Sequence, residues 1–319
     1  TFGLLQHLAI VFGVYALARV AGHVAAVMAA LLAVVLILTP IGLSALAWHG
    51  ALGLALWAVV FLVRAGISGQ QRDWWVAGGL AGLALGFRPD LVLALGLVAG
   101  WALWPRRASG ERARRPATFA IGVAVGLLPM WVHLVRAGPV AAVEGMVVDP
   151  VFRLRPGREL PRPPSWSRID GALQAVAESA PPWWRLPALA AEQQLFVWFC
   201  AVVVVAVAVP ALVFVLRRRG PAKKGISPGH PLDALAGAGL FGLGILPQAL
   251  QRPDSTHLAW VAVVSWSVLV VVITLAIQGR ARQAGAAMSG LAATLVLGLV
   301  MLVVCPFFTY RTYLLHTRV

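Results

Sequence analysis

Two short polar segments carry the residues best suited to chemistry in a chain otherwise dominated by apolar runs. Arg88-Pro89-Asp90 opens one apolar run, and Arg252-Pro253-Asp254 opens another. Proline suits the first helical position and an aspartate in the first turn complements the helix dipole, so each segment is also a plain helix-start signal. The dipole disfavours an arginine there, and a cation beside free helix N–H groups makes an anion site. Two such starts on one side of a helical bundle predict a site for a phosphate or diphosphate group. Snorkelling of the arginines to an interface is the alternative.

The second segment is followed by a histidine that adds acid–base chemistry. Asp254 and His257 are three residues apart, so both can share one helical face. A carboxylate–histidine pair can carry out general acid–base catalysis, and equally Asp254 orients His257 or pairs with Arg252. The candidate catalytic residues are Asp254, His257 and Asp90. The candidate substrate-binding residues in these segments are Arg88, Arg252, Gln248 and Gln251.

The composition identifies the elements that must position these residues as membrane helices. Hydrophobic residues make up 60% of the 319 residues and charged residues 12%, whereas a soluble domain has about 25% charged residues. A water-soluble globular protein and a disordered chain are therefore both excluded. We predict an all-α polytopic membrane bundle of about ten spans. The apolar runs are 3–18, 24–39, 42–63, 74–87, 90–104, 117–135, 193–216, 231–250, 258–277 and 285–305.

The net charge of +15 indicates sidedness rather than a nucleic-acid partner, because the basic residues cluster in short loops and form no single face. Positive loops mark the cytoplasmic side of a membrane protein, which assigns 105–116, 217–224 and 278–283 to the cytoplasm. Arg64 and Arg72 are also on the cytoplasmic side only if 74–104 crosses the membrane twice. We therefore predict two short helices in this stretch rather than one long tilted helix. The segment Arg88-Pro89-Asp90 then lies on the outer side, where lipid headgroups and lipid-linked phosphates are the available anions.

One long polar segment divides the chain into N-terminal helices (1–135), an outer loop region (136–192) and C-terminal helices (193–319). Loops of this length are usually functional or disordered. Three arginines of this loop lie within six residues and form either a phosphate clamp or solvated loop charges: Arg153, Arg155 and Arg158. Further along the loop, 169–178 has the pattern of an interfacial helix.

The sequence shows no spacing that would hold a metal ion. Its two cysteines, Cys200 and Cys305, lie inside apolar runs and are expected to be buried small hydrophobic residues.

Two stretches resemble the membrane-embedded GT-C glycosyltransferases, which take a sugar from a polyprenyl-phosphate donor. Residues 74–104 are similar to the glycine-rich helix, arginine turn and following helix of that superfamily, and 247–258 to an Arg-x-Asp-x-x-His element of bacterial members. The resemblance implies that Arg88 and Arg252 contact the donor phosphate. It also implies an N-terminal span and a first outer loop upstream of Thr1, and that loop would supply the catalytic carboxylate. A divalent metal ion is needed in some members and not in others.

The expectation from these observations is a glycosyltransferase in a bacterial plasma membrane, with its active face extracytoplasmic. The acceptor would be a glycan, a lipid or a protein of the cell envelope. A transporter or flippase of lipid-linked glycans is the alternative, and it predicts charged residues at mid-membrane depth and paired repeats. A non-catalytic membrane scaffold is the third hypothesis.

Overall fold

A computed structural model of the chain describes residues 1–38, 42–103, 114–153, 191–219, 232–251, 253–278 and 288–301. All regular elements in these ranges are helical, which confirms the predicted all-α class. The helices are α1 (Phe2–Ala18), α2 (His23–Leu38), α3 (Ala47–Ser68), α4 (Gln71–Phe87), α5 (Val92–Leu103), α6 (Arg114–Gly126), α7 (Leu128–Ala137), α8 (Pro139–Val143), α9 (Ala191–Arg219), α10 (Leu232–Gly244), α11 (Leu246–Gln251), α12 (Ser255–Gln278) and α13 (Met288–Met301). Short 3-10 turns occur at Arg19–Ala21 and Pro89–Leu91, and a π-helical segment at Glu144–Arg153.

Several of these helices have the length and composition of membrane spans. Within the described ranges, five segments qualify: Phe2–Ala21, Ala47–Ser68, Phe196–Arg218, Leu232–Gln251 and Thr256–Gln278. A sixth is formed by α6 and α7 if this pair, bent by 55°, is one span. The bend lies just before Pro129, whose ring removes a helical hydrogen bond. Three shorter apolar helices accompany them: His23–Leu38, Pro89–Leu103 and Met288–Met301.

Each apolar run predicted from the sequence overlaps a helix, but α3 begins at Ala47 rather than at residue 42. The segment before it is held by side-chain contacts instead of helical ones. Gly42 has a positive φ of 62°, and the N–H of Leu46 donates to Oε1 of Gln6 on α1 at 3.1 Å. This segment is therefore tied to α1, and the helix starts only after it.

The stretch 74–104 forms two helices, as predicted. At one end of the bundle, Arg88 follows α4 and packs over Trp48 at the start of α3. At the other end, Arg64 near the end of α3 pairs with Asp73 at the start of α4, with Nε and Oδ2 3.2 Å apart. We call these the motif end and the basic end. Trp48 and Arg64 lie 16 positions apart on α3, so the two ends are separated by roughly 24 Å at 1.5 Å per residue.

Helix α5 then returns to the basic end. The ring of Trp101 lies 4.9 Å from the guanidinium of Arg217 near the end of α9. Arg217 in turn pairs with Asp233 at the start of α10, with Nη1 and Oδ1 2.6 Å apart. Both charged side chains are largely buried. The ion pair joins α9 to α10, and the contact of Arg217 with Trp101 adds α5.

The core is apolar on all sides of α12. Every residue from Leu258 to Val272 is buried, as expected for a helix that is hydrophobic around its whole circumference. It packs against α2, α9 and α10, while α3 packs against α1, α4 and α5.

Helices α4 and α6 approach each other more closely than any side chain would allow. Gly78 and Gly82 on α4 face Gly122 and Gly126 on α6, and their backbones are in direct contact. An added Cβ on Gly82 would lie 2.2 Å from the carbonyl oxygen of Val123. Small residues at such positions are the usual means of close helix packing in membranes.

We predict that Gly82→Ala lowers the free energy of unfolding by ~1–3 kcal/mol, because the methyl group forces two backbones apart. Gly86 on the same helix has nothing within 4 Å of its Cβ position, so Gly86→Ala is the matched control and should be neutral or slightly stabilising. Unfolding of both variants in mixed micelles measures the difference. Equal stability of the two variants would contradict the proposed packing.

Candidate functional site

The first polar segment forms a turn that joins α4 to α5. Arg88 has an extended backbone, as a residue before proline prefers, and Pro89 then starts a single 3-10 turn that leads into α5. The Arg88 side chain folds back on Asp90, with Nε donating to Oδ1 at 3.0 Å and Nη2 to Oδ2 at 2.5 Å. Arg88 and Asp90 therefore form a two-pronged ion pair, with both side chains partly exposed.

The second segment forms the start of α12. The Oδ1 of Asp254 accepts the backbone N–H of His257 at 2.9 Å, which is the contact of a helix N-cap. The same carboxylate lies 2.7 Å from Nδ1 of the His257 ring. Because a carboxylate only accepts, Nδ1 donates the proton, and neutral His257 keeps its lone pair on Nε2. The helix-start interpretation of Asp254 is confirmed, and the same residue also orients a potential base.

A glutamine connects the two segments. The side-chain amide of Gln248, on α11 just before the second segment, donates to Oδ2 of Asp90. Gln248 is buried, whereas the Asp90 carboxylate that accepts this hydrogen bond is partly exposed. Asp90 thus accepts from donors on both sides of the site.

Two tryptophans form a second connection. The Arg88 guanidinium lies 5.0 Å from the centre of the Trp48 ring, within cation–π range. Trp48 stacks on Trp260 with ring centres 6.0 Å apart, and Trp260 lies 5.0 Å from the ring of His257. Arg88 and His257 therefore face a common aromatic wall at the motif end.

Two histidines lie beneath this wall. His49 meets the edge of Trp260 at 5.5 Å, and His7 meets His49 at 4.5 Å. Nδ1 of His7 hydrogen-bonds to the carbonyl of Gly3 at 2.7 Å, and Nδ1 of His49 to that of Ser44 at 3.3 Å.

Four buried nitrogen atoms in this cluster have no hydrogen-bond partner within the described part of the chain. They are Nε2 of His7, Nε2 of His49, Nε1 of Trp48 and Nε1 of Trp260. Buried polar atoms normally have a partner. A polar ligand reaching this wall would therefore find two N–H donors and two imidazole acceptors.

An apolar groove adjoins the motif end between α1, α3 and α4. Its volume is about 500 Å³, and Gln6 is the one polar side chain among the residues that line it. The lining includes Leu5, Ala9, Leu54, Trp57, Leu80 and Phe87. Phe87 directly precedes Arg88, so the groove ends beside the first polar segment.

The remaining predicted site residues do not join this cluster in the described ranges. Arg153 donates to Glu144 at 3.0 Å and to Asp149 at 2.9 Å, so its charge is balanced locally. Gln251 is the last residue of α11, beside the second segment and partly buried. Arg252, Arg155, Arg158, Cys305 and the predicted interfacial helix at 169–178 lie outside the described residues.

The catalytic carboxylate that the resemblance implies would lie upstream of Thr1, and therefore outside the described residues. Thr1 itself directly precedes α1 and makes no side-chain cap. Its carbonyl accepts the backbone N–H of Leu5 at 3.3 Å, as the first hydrogen bond of the helix. The base upstream of Thr1 stays a prediction, and Asp90, Asp254 and His257 are the described candidates for proton transfer.

No group of three or more His, Cys, Asp or Glu side chains in the described ranges is arranged to hold a metal ion.

Sequence reasoning did not predict that Trp48, His49 and Trp260 form the wall of this site. One signal was available, since Trp260 follows His257 at the i,i+3 spacing of a shared helical face. The position of Trp48 and His49 against Trp260 depends on how the helices of the bundle bring the starts of α3 and α12 together, which local sequence does not encode. Neither a protein-family profile, nor a curated protein, nor a solved structure matches this chain.

We predict energetic coupling between Asp90 and Gln248 across the two segments. A double-mutant cycle with Asp90→Ala and Gln248→Ala should give an interaction energy of about 1 kcal/mol, since the hydrogen bond is made to a charged group that is partly exposed. The reference cycle pairs Asp90→Ala with Gln71→Ala at the basic end, where the two effects should add. Denaturant unfolding provides the values, and additive effects in both cycles would contradict the contact.

Proposed function

We propose that the protein is a membrane glycosyltransferase that moves a sugar from a polyprenyl-phosphate donor to an acceptor outside the cytoplasm. The observation that carries the proposal is the meeting of Arg88, Asp90, Gln248 and His257 at one end of the bundle, beside an apolar groove. An anionic head next to a long apolar tail is the chemistry that such a combination recognises. The resemblance to GT-C enzymes in 74–104 and 247–258 points to the same donor class.

The proposed membrane arrangement has about ten spans, with the motif end on the extracytoplasmic side. The arginine-rich segments 105–116 and 217–224 lie at the C-terminal ends of α5 and α9, which both reach the basic end. The positive-inside rule then puts the basic end in the cytoplasm of a bacterial plasma membrane. In this arrangement 136–192 is the outer loop.

In the proposed reaction, Arg88 binds the donor phosphate. Two of its five N–H groups are used by Asp90, and three remain for a phosphate oxygen. The acceptor hydroxyl attacks the anomeric carbon of the sugar, and the bond from that carbon to the phosphate oxygen breaks with its electron pair. A fixed cation stabilises the negative charge that develops on the departing phosphate.

The hydroxyl proton needs an acceptor in this step. His257 is a suitable group because Asp254 holds its proton on Nδ1 and leaves Nε2 basic. The resemblance instead assigns this role to a carboxylate in a loop upstream of Thr1. With such a carboxylate as base, His257 and Asp254 shape the pocket.

The described charged side chains favour an enzyme over a flippase. The ion pairs of Arg64 and Arg217 lie at the basic end, and that of Arg88 at the motif end. A flippase for a lipid-linked glycan would instead need charged groups at mid-membrane depth along a path across the membrane.

We expect Arg88→Ala and Arg252→Ala each to abolish turnover of a polyprenyl-phosphate sugar in membranes, with a loss of at least about 10²–10³-fold. Arg88→Lys should recover part of the activity, because it restores the charge but not the planar fork. Arg136→Ala, at an exposed arginine outside the two polar segments, is the charge-matched control and should retain activity. Unchanged turnover in both alanine variants would refute phosphate binding at this site.

We also expect Leu80→Trp, which fills the apolar groove, to raise KM for a long-chain donor at least about tenfold, since burial of the tail contributes a large part of its binding free energy. The KM of Leu80→Trp for a short-chain donor should be unchanged, because the tail of that donor is too short to occupy the groove. Leu83→Trp on the exposed face of α4 is the matched control. Equal effects of Leu80→Trp on both donors would show that the groove does not hold the tail.

A further inference from the structure

A small polar pocket lies at the basic end, far from the site described above. It occupies the angle between the α3–α4 turn and the start of α6, with a volume of about 90 Å³. One water molecule needs roughly 10–15 Å³ by the same kind of measure, so the pocket has room for a tetrahedral polyatomic anion. Its lining residues are Gly69, Gln71, Trp74, Arg114, Arg115 and Thr118.

The pocket is lined by donors and positive charge. Arg114 and Arg115 contribute two guanidinium groups, which are hydrogen-bond donors only. Gln71 is the first residue of α4, and the preceding Gln70 makes no side-chain cap, so the N–H groups of this helix start add to the positive field.

A buried donor without a partner points to a ligand. Trp74 is 1% exposed, and its indole N–H has no hydrogen-bond partner within the described residues. This group can only donate, and leaving it unsatisfied costs free energy. An anion in the pocket would provide the acceptor that the N–H lacks.

The remaining polar groups hold the wall in place. The amide of Gln71 donates to Oγ1 of Thr118 at 3.2 Å, and that hydroxyl donates to the carbonyl of Arg114 at 2.8 Å. These bonds fix the start of α4 against the start of α6. Gly69 ends α3 with a positive φ of 69°, so its position at the pocket favours glycine.

The carboxylate of this turn is directed away from the pocket. Asp73 is buried beside α3, where Nε of Arg64 lies 3.2 Å away and the Ser68 hydroxyl donates to the carboxylate at 2.8 Å. The charge of Asp73 is therefore balanced by Arg64, and Asp73 is not among the residues that line the pocket. An anion in the pocket would face the two arginines rather than this carboxylate.

We propose that this pocket binds a phosphate group, either free phosphate or the phosphate of an anionic lipid headgroup at this face of the membrane. The guanidinium groups of Arg114 and Arg115 bind its oxygens, and Trp74, a residue that lines the pocket, supplies its buried indole N–H as a further donor. The site is independent of the donor site at the motif end, and its test needs no glycosyltransferase activity.

The test uses the purified full chain in maltoside micelles free of phospholipid. Inorganic phosphate is added in one arm and short-chain phosphatidylglycerol in the other, each against chloride at equal ionic strength. At about ten times Kd, the ligand should raise Tm by about 2–4 °C, and native mass spectrometry should detect the bound species. A rise with phosphate identifies the free ion as a ligand, and a rise with the lipid alone identifies the headgroup.

Two variants remove the proposed contacts. Trp74→Phe keeps the ring and deletes the N–H, and Arg114→Gln with Arg115→Gln removes the charge at positions that are partly or fully exposed and so tolerate change. Each should weaken binding by about tenfold or more, since hydrogen bonds to charged groups are lost. Trp75→Phe and Arg218→Gln are the matched controls and should bind as the unmodified chain does. No rise in Tm with either ligand, or the same rise in the pocket variants as in the controls, would overturn the proposal.

Discussion

The carboxylate of Asp90 is the point on which the motif end depends. It accepts from two nitrogens of Arg88 and from the buried amide of Gln248, so one side chain joins the α4–α5 turn to α11. A carboxylate offers about four acceptor positions, and three are used here. Together with the stacked tryptophans, this shared acceptor joins two segments that are distant in the chain.

The ion pair with Asp90 affects how Arg88 can bind an anion. Arg88 is not an isolated cation, because its charge is matched by Asp90. Both side chains are partly exposed, however, and ion pairs of this kind are worth only about 0–1 kcal/mol. In the proposed reaction, the donor phosphate can therefore add to the pair or replace Asp90 at little cost, while the guanidinium stays over the Trp48 ring. The predicted cationic helix start is therefore an arginine, Arg88, in a weak ion pair with Asp90.

The sequence predicted the helices and the division of 74–104 into two of them because both depend on local signals. Apolar runs set the helices, and the proline and charges around Arg88 set the break. It also predicted a helix start at the second polar segment, with Asp254 and His257 on one face, because those residues are only three positions apart. It could not predict the stacking of Trp48 on Trp260 or the hydrogen bond from Gln248 to Asp90. Those contacts join distant parts of the chain and depend on which helices pack together. The apolar faces of the helices are too similar for the sequence to indicate that pairing.

Helix α4 connects the two ends of the molecule. Trp74 lines the basic pocket, Leu80 lines the apolar groove, and Arg88 follows the last turn. Gly78 and Gly82 fix this helix against the backbone of α6, where a shift along the axis would bring Cβ atoms of neighbouring residues into contact with carbonyl oxygens. Coupling between distant sites requires an element with two stable arrangements, and such close packing favours a single one. An anion at the basic end should therefore stabilise the bundle without altering the geometry around Arg88.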